Sequence, residues 1–214
     1  IGGDTSGSPE TLFIDVSVIG ECESGKAITR RGANPGDRIY VSGGLGASAL
    51  GLSLLESGFR LDESQDVSSA KRKALLRHLS PTPQLQLGRA LGAEALATAM
   101  IDISDGLTTD LWHILDESGV GAVIHAAHIP VDECVATASE TVNLNPLQLA
   151  LSGGEEYELL FTASPANTAP LSRLAETLRL RLTAIGEVVA NRGLQLERNG
   201  LFEPVQPSGF EHLI

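Results

Sequence analysis

Two aspartates and a serine lie together in residues 101–107 (Ile-Asp-Ile-Ser-Asp-Gly-Leu), where an apolar run ends and a helical pattern begins. Ligands of α/β sheets gather at such junctions, and helix N-termini offer N–H donors to phosphate. Asp102 and Asp105 bracket Ser104, and two close carboxylates repel each other unless a cation lies between them. Capping of the helix by Ser104 or Asp105 is the plainer interpretation, but it leaves Asp102 unexplained. The spacing therefore predicts a site for metal ions and phosphate.

A second acidic motif, residues 151–159, reads Leu-Ser-Gly-Gly-Glu-Glu-Tyr-Glu-Leu. Three glutamates follow the Ser-Gly-Gly loop, at the start of an apolar strand. Carboxylates at the mouth of a buried strand are costly unless they are solvated or bound to something. A solvated strand entry and a binding site both fit this pattern, and both interpretations stay open.

Glycines precede acidic or helical residues at two further places. Residues 2–5 are Gly-Gly-Asp-Thr, which lets the backbone approach a ligand and places an Asp where it could hold Mg²⁺, although an ordinary Asx turn is the plainer interpretation. Residues 44–49 fit the pattern Gly-x-Gly-x-x-Ala of dinucleotide sites, but no second strand with an acidic end follows at the required distance. We therefore expect residues 44–49 to serve tight helix packing.

Other candidate groups carry less information. Arg30 and Arg31 are expected to follow a strand and could meet a phosphate, although two exposed arginines usually contribute nothing. His113 lies in a helical pattern and is expected to pack against the core. Phe210 could form an aromatic wall for a ring or simply anchor the C-terminal tail. No Ser-His-Asp or Cys-His set can be assembled from the sequence.

The elements that must position these residues mix strands and helices throughout. Expected strands are residues 12–19, 38–42, 99–103, 120–125, 157–162 and 183–189, with a hairpin of residues 194–198 and 202–205. Expected helices run from the glycine-rich turn to about Glu56 and over residues 67–79, 85–97, 107–117, 131–142, 146–151 and 165–180. Strict alternation of strand and helix fails in the middle of the chain. The fold class is therefore α+β, with one mixed sheet covered by helices.

Composition limits the partners. The chain has 214 residues, of which 42% are hydrophobic and 20% charged, so it can bury a core without disulfides. Lys and Arg total 15 against 27 Asp and Glu, for a net charge of −12, which opposes binding to nucleic acid or an anionic membrane. Any phosphate ligand would need metal ions as mediators. No apolar run of about 20 residues is present, and two distant cysteines suit a cytoplasmic protein.

Taken together and in order, the motifs resemble those of the thiamine-monophosphate kinase family. This family belongs to the ATP-binding superfamily of aminoimidazole ribonucleotide synthetase and selenophosphate synthetase. The matching segments are residues 1–5 (IGGDT), 29–37 (TRRGANPGD), 42–52 (SGGLGASALGL), 101–107 (IDISDGL), 151–162 (LSGGEEYELLFT) and 209–212 (GFEH). They span nearly the whole chain. The resemblance implies the C-terminal domain of the aminoimidazole ribonucleotide synthetase-like fold.

The resemblance also implies an activity, namely ATP-dependent phosphorylation of thiamine monophosphate to thiamine diphosphate with several Mg²⁺ ions. The residues that match the family's ATP contacts are Gly3, Asp4, Arg30 and Ser104. Those that match its Mg²⁺ ligands are Asp4, Asp102 and Asp105, and those that match substrate contacts are Glu155 and Phe210. A shift from Arg30 to Arg31 is compatible with the same motif. Since the acceptor is already a phosphate oxygen, hardly any general base is needed.

The family carries a separate N-terminal domain that the sequence does not contain. Residues 1–26 are expected to be the last strand segment of that ATP-binding domain, and residues 27–214 the C-terminal α/β domain. The resemblance then implies a fragment that is inactive by itself, from an enzyme that forms homodimers through the N-terminal domain. Two alternatives remain: another ATP-dependent synthetase of the superfamily, and an inactive nucleotide-binding module.

Overall fold

The computed structural model describes residue 17, residues 19–61 and residues 67–208, which form one mixed sheet and seven α-helices. The strands are β1 (Arg38–Ser42), β2 (Ala99–Asp102), β3 (Gly121–His125), β4 (Leu159–Ala163), β5 (Leu182–Val189), β6 (Gly193–Arg198) and β7 (Leu201–Pro204). The helices are α1 (Ala47–Glu56), α2 (Ser69–Leu79), α3 (Leu85–Ala93), α4 (Leu107–Ser118), α5 (Glu133–Ala138), α6 (Pro146–Ser152) and α7 (Thr168–Leu178). Short 3₁₀ turns occupy Ala126–His128, Ser139–Val142 and Pro165–Asn167.

The sheet has the strand order β2-β4-β1-β5-β3-β6-β7. Every neighbouring pair is antiparallel except β3 and β6, which run parallel. The predicted mixed sheet is therefore confirmed. Its order places β2 beside β4, so that the segments at the end of β2 and at the start of β4 meet at one edge.

Alternating side chains of the strands serve two different cores. Ile39 and Val41 of β1 face the cluster that includes Leu111 and Ile114 of α4. Tyr40, between them, lies in the cluster formed with α3 and α7, where its ring stacks on that of Phe161 at a centroid distance of 5.4 Å. This two-residue period is that of a strand buried on both faces. A third cluster joins α1, α2 and α5 beside the sheet.

Local backbone geometry explains where the elements depart from the predicted limits. The helix expected over residues 85–97 ends at Ala93, and Ala95 takes a φ of 49°. The strand expected from residue 157 begins at Leu159, because Tyr157 is in the left-handed region with a φ of 53°. The predicted hairpin is present, and Asn199 and Gly200 have φ values of 53° and 81°, as its tight turn requires.

The strand expected over residues 12–19 and the assignment of residues 1–26 lie largely outside the described residues. In the part of the chain that the structure describes, no helix combines the length and the apolar character needed to cross a bilayer.

The crossing of α1 and α2 depends on a glycine. A Cβ atom on Gly51 would lie 2.2 Å from the carbonyl oxygen of Ala74 in α2, so only glycine allows this approach. We predict that Gly51→Ala lowers the free energy of unfolding by about 2 kcal/mol, because overpacking outweighs the gain in helix propensity. Gly88→Ala in α3 is the control, since its Cβ would meet only Leu159 at 3.6 Å. It should raise stability by about 0.5 kcal/mol. Urea unfolding measures both, and equal effects would contradict the packing argument.

Candidate active site

The loop after β2 is held by a residue that sequence reasoning missed. Oδ2 of Asp110, in the first turns of α4, accepts hydrogen bonds from the backbone N–H groups of Ser104, Asp105 and Gly106 at 3.1, 3.1 and 3.0 Å. The expectation that these N–H groups at the helix start would bind phosphate is therefore wrong for these three donors, because the Asp110 carboxylate occupies them. The N-cap residue of α4 is Gly106, so neither Ser104 nor Asp105 is the cap residue that the plainer interpretation expected.

Asp110 is 1% exposed, and such burial disfavours the charged form of its carboxyl group. Burial raises the pKa of this carboxyl to about 6, although the three N–H donors act in the opposite direction. The sequence contained a signal for this role of Asp110. An acidic side chain in the first turn of a helix interacts favourably with the unpaired N–H groups there. The spacing alone did not separate it from an ordinary surface aspartate.

The two acidic motifs form a single structure. The N–H of Glu155 donates to the carbonyl of Ser104 at 2.7 Å, and the N–H of Tyr157 donates to the carbonyl of Ile103 at 2.9 Å. Ile103 in turn donates to the carbonyl of Glu158 at 2.8 Å. These bonds continue the pairing of β2 with β4 beyond the ends of both strands.

Two glycines permit this close contact between the loops. A Cβ on Gly154 would lie 2.5 Å from the carbonyl oxygen of Ser104, and a Cβ on Gly106 would lie 2.8 Å from that of Ser152. Real Cβ atoms do not approach backbone oxygens so closely. Gly106 and Gly154 are therefore explained by the contact between the loops.

The contact between the loops brings the segments that carry three predicted site residues, Asp102, Asp105 and Glu155, next to Tyr157. Burial raises the pKa of the Tyr157 phenol, and the charges of Glu155, Asp102 and Asp105 raise it further, so all three carboxylates act on this group. Glu155 and Tyr157 both have left-handed backbones, with φ values of 58° and 53°. Such conformations are unfavourable for these residue types and concentrate at functional sites.

The three glutamates of the second motif have different roles. Glu155 has a side chain that is 56% exposed, whereas those of Glu156 and Glu158 are 0% and 3% exposed. Both buried carboxylates face Arg77 of α2, at 3.5 Å for Glu156 and 2.8 Å for Glu158. Ser42 also donates its hydroxyl hydrogen to Glu158. Of the two open interpretations, solvation describes Glu155 alone, and the other two glutamates are bound by the protein itself.

Glu156 also explains the glycine-rich turn of residues 44–49. Its Oε1 accepts the N–H of Ser48 at 3.0 Å, at the start of α1. The carboxylate thus takes the position that a phosphate would need, and a Cβ on Gly46 would lie 3.1 Å from the backbone nitrogen of Ala150. Tight packing is the role that the geometry supports, as expected.

Burial raises the pKa of Glu156 to about 7, while the N–H donors and Arg77 act in the opposite direction. One guanidinium serves two buried carboxylates, and the shorter contact goes to Glu158. The Glu156 carboxyl group, with its raised pKa, therefore holds a proton more readily than a free glutamate does.

A serine, a histidine and a glutamate also meet beside the second motif. Nδ1 of His78 lies 3.1 Å from Oγ of Ser48 and 3.2 Å from Oε2 of Glu155. Both contacts use the same ring nitrogen, whereas a catalytic triad uses the two nitrogens for different partners. The arrangement orients Glu155 and offers no nucleophile.

Arg30 lies at the C-terminal end of α4 and not at the loop between β2 and α4. Its Nη1 lies 4.0 Å from Oε1 of Glu117, and its carbonyl accepts the hydroxyl of Ser118 at 3.4 Å. These two residues end α4, about 16 Å along the helix axis from its start. The carbonyl of Arg31 accepts the hydroxyl of Thr29 at 2.8 Å, which fixes the backbone of this turn.

A candidate metal-ligand set overlaps the loop between β2 and α4. Ligand atoms of Asp105, Asp110 and His113 all lie within 4.8 Å of one another. His113, expected to serve packing, thus joins the set one helical turn after Asp110. Carboxylate oxygens suit Mg²⁺, whereas imidazole favours transition metals, and Oδ2 of Asp110 is already engaged by three N–H groups. Asp102 lies at the exposed end of β2 and is not a member of this set, so the assignment of Asp102 and Asp105 to Mg²⁺ stays a prediction.

Three predicted site residues, Gly3, Asp4 and Phe210, lie outside the described residues. Their assignments to ATP, Mg²⁺ and substrate stay predictions.

Residues 34–199 match the family described as AIR synthase related protein, C-terminal domain, over more than half of the chain. The chain belongs to this family. This AIR synthase related domain is 38% identical to the thiamine-monophosphate kinase of Salmonella typhimurium, over 99% of its length and 62% of the relative's. It is 34% identical to that of Aquifex aeolicus over the same shares of the two chains. The domain thus spans about 62% of the length of these relatives, and the resemblance seen in its motifs is confirmed.

Solved structures agree with the fold. A thiamine-monophosphate kinase from Stenotrophomonas maltophilia superposes with a TM-score of 0.73 at 36% identity, covering 81% of the AIR synthase related domain and 54% of that chain. AaThiL complexed with AMPPCP and TMP gives a TM-score of 0.73 at 33% identity, covering 87% and 54%. The predicted fold of the C-terminal domain is therefore confirmed.

Asp110 should be the main residue that stabilises the loop between β2 and α4. Asp110→Ala removes the acceptor of three N–H groups, one buried and two partly buried, so we predict a loss of about 3 kcal/mol in the free energy of unfolding. Asp110→Asn keeps an acceptor oxygen and should lose less. Asp116→Ala, on an exposed position of the same helix, is the control and should change stability little. Urea unfolding at pH 7.5 measures all three, and equal losses for the two alanine variants would refute the role of Asp110.

Glu156 should make stability depend on pH. Its carboxyl group has a pKa of about 7 when folded, against 4.5 for the free side chain. The folded protein therefore binds more protons than the unfolded chain between these values, and stability falls as the pH rises through this window. We predict that this change, about 3 kcal/mol, is lost in Glu156→Gln but kept in Glu155→Gln. Urea unfolding at pH 5 and pH 8 compares them, and parallel behaviour of wild type and Glu156→Gln would contradict the assignment.

Proposed function

We propose that the whole protein phosphorylates thiamine monophosphate with ATP and releases thiamine diphosphate and ADP. The observation that carries this proposal is the hydrogen-bonded contact between the loop that carries Asp102 and Asp105 and the segment that carries Glu155. The chain that carries these motifs is similar, over almost its full length, to thiamine-monophosphate kinases. AaThiL, a structural neighbour, is complexed with AMPPCP and TMP, which supports the pair of substrates.

The proposed roles follow from charge. Asp102 and Asp105 would hold Mg²⁺, which neutralises the negative charge between the two substrates' phosphates when bound. Ser104 would donate its hydroxyl to a phosphate of ATP, and Glu155 would accept a hydrogen bond from thiamine monophosphate. Because the attacking group is a phosphate oxygen that carries no proton at neutral pH, the chain needs only to position the two reactants in line.

The remaining assignments rest on the resemblance to the family. Gly3, Asp4 and Arg30 would contact ATP, Asp4 would add a third carboxylate for Mg²⁺, and Phe210 would stack on the thiamine ring. Residues 1–26 would belong to an N-terminal ATP-binding domain through which two copies associate in the cytoplasm, and residues 27–214 to the C-terminal domain. The chain by itself would then be inactive.

The direct test is an assay of the whole protein. Thiamine diphosphate formation from thiamine monophosphate, ATP and Mg²⁺ supports the proposal. Turnover of ATP with another acceptor but not with thiamine monophosphate would favour a different synthetase of the superfamily. Absence of both ATP binding and turnover would favour an inactive module.

The aspartates provide a sharper prediction. Asp102→Asn or Asp105→Asn in the whole protein should lower kcat by at least about 100-fold, because each removes a negative ligand for Mg²⁺. The melting temperature of Asp102→Asn should change little, since Asp102 is exposed at the end of β2. Asp116→Asn on the exposed surface of α4 is the matched control. Full activity in both loop variants would remove this motif from the mechanism.

A further inference from the structure

Arg77 lies beside the segment that carries Glu155 and Tyr157. Its Nη2 atom is 2.8 Å from Oε1 of Glu158 and 3.5 Å from Oε2 of Glu156. The same atom lies 3.5 Å from the carbonyl oxygen of Glu156. One guanidinium from α2 thus holds the two residues on either side of Tyr157.

These contacts are largely removed from water. The side chain of Arg77 is 20% exposed, and Glu158, at 3%, also accepts the hydroxyl of Ser42. Burial alone would lower the pKa of Arg77, but the charge and hydrogen bond of Glu158 and the charge of Glu156 outweigh it and raise the pKa. Loss of one partner from such a cluster leaves buried charge without compensation, so the cluster resists rearrangement.

The segment needs such a support because its backbone is strained. Glu155 and Tyr157 are left-handed, and each N–H donates to the loop after β2, at Ser104 and Ile103 respectively. Conformations of this kind persist only where the surrounding structure holds them. The residues between and after them, Glu156 and Glu158, are the ones that Arg77 binds.

We propose that Arg77 is a positioning residue, which fixes Glu155 and Tyr157 against the aspartate loop by clamping the glutamates beside them. The inference rests on the proposed function for its substrate, since Glu155 is the proposed contact to thiamine monophosphate. Arg77 itself does not need to touch either substrate.

The first experiment needs no activity. In the 214-residue chain, Arg77→Met should make the amide hydrogens of Glu155 and Tyr157 exchange at least about tenfold faster, because their local opening becomes easier. The amide of Gly106, which Asp110 holds, should exchange as in wild type.

Lys73→Met is the matched control. It removes a cation from the same helix, one that pairs with Asp132 at 2.8 Å, and leaves residues 155–158 untouched. Unchanged exchange at Glu155 and Tyr157 in Arg77→Met, or equal acceleration in both variants, would overturn the inference. If Arg77→Met does not fold, Arg77→Lys decides in its place, and wild-type exchange at both amides in that variant would likewise overturn it.

The second experiment uses the whole protein and separates positioning from general stability. Arg77→Lys keeps the charge but loses the planar fork, so the KM for thiamine monophosphate should rise about tenfold, while the KM for ATP changes less than about twofold. An equal rise in both constants, or no change in either, would contradict the role. A wild-type protein that forms no thiamine diphosphate would refute the proposed function, yet the exchange result would still decide whether Arg77 orders the segment.

Discussion

The hydrogen bonds between the loop after β2 and the segment before β4 are the constraint on which the rest of the site depends. Glu155 and Tyr157 donate to the carbonyls of Ser104 and Ile103 across a gap that leaves no space for a Cβ on Gly154. Because β2 and β4 are antiparallel neighbours, this contact extends a sheet edge into a loop pair. The contact thereby brings together carboxylates that are about 50 residues apart in the sequence.

The acidic residues of the site fall into two groups according to their access to water. Asp110, Glu156 and Glu158 are buried, and each is satisfied by backbone N–H groups, a hydroxyl or Arg77. These residues shape the two loops. Asp102 and Glu155 remain accessible to water. The charges that are costly to bury therefore belong to residues that stabilise the fold.

Sequence patterns predicted most elements because each pattern is local. The strand over residues 38–42 and the Asn199-Gly200 turn depend on neighbouring residues, and both are present as predicted. The motifs of Asp102 and Glu155 were also found, but not their contact, which depends on strand order. Arg77 could not be found, because its partners lie about 80 residues away and nothing in the pattern of α2 distinguishes it from a surface arginine.

The distribution of positive charge bears on how anionic substrates could be held. Arg77 is already committed to two glutamates, and Arg30 lies at the far end of α4 beside Glu117. The N–H groups of Ser104 to Gly106, which a phosphate could otherwise use, are taken by Asp110. A phosphate brought to Asp102 and Asp105 would therefore meet like charge, and at a separation of 4 Å this repulsion is about 4 kcal/mol near a protein surface. A divalent cation would reverse the sign of that interaction, which supports the proposed role of Mg²⁺ at these two aspartates.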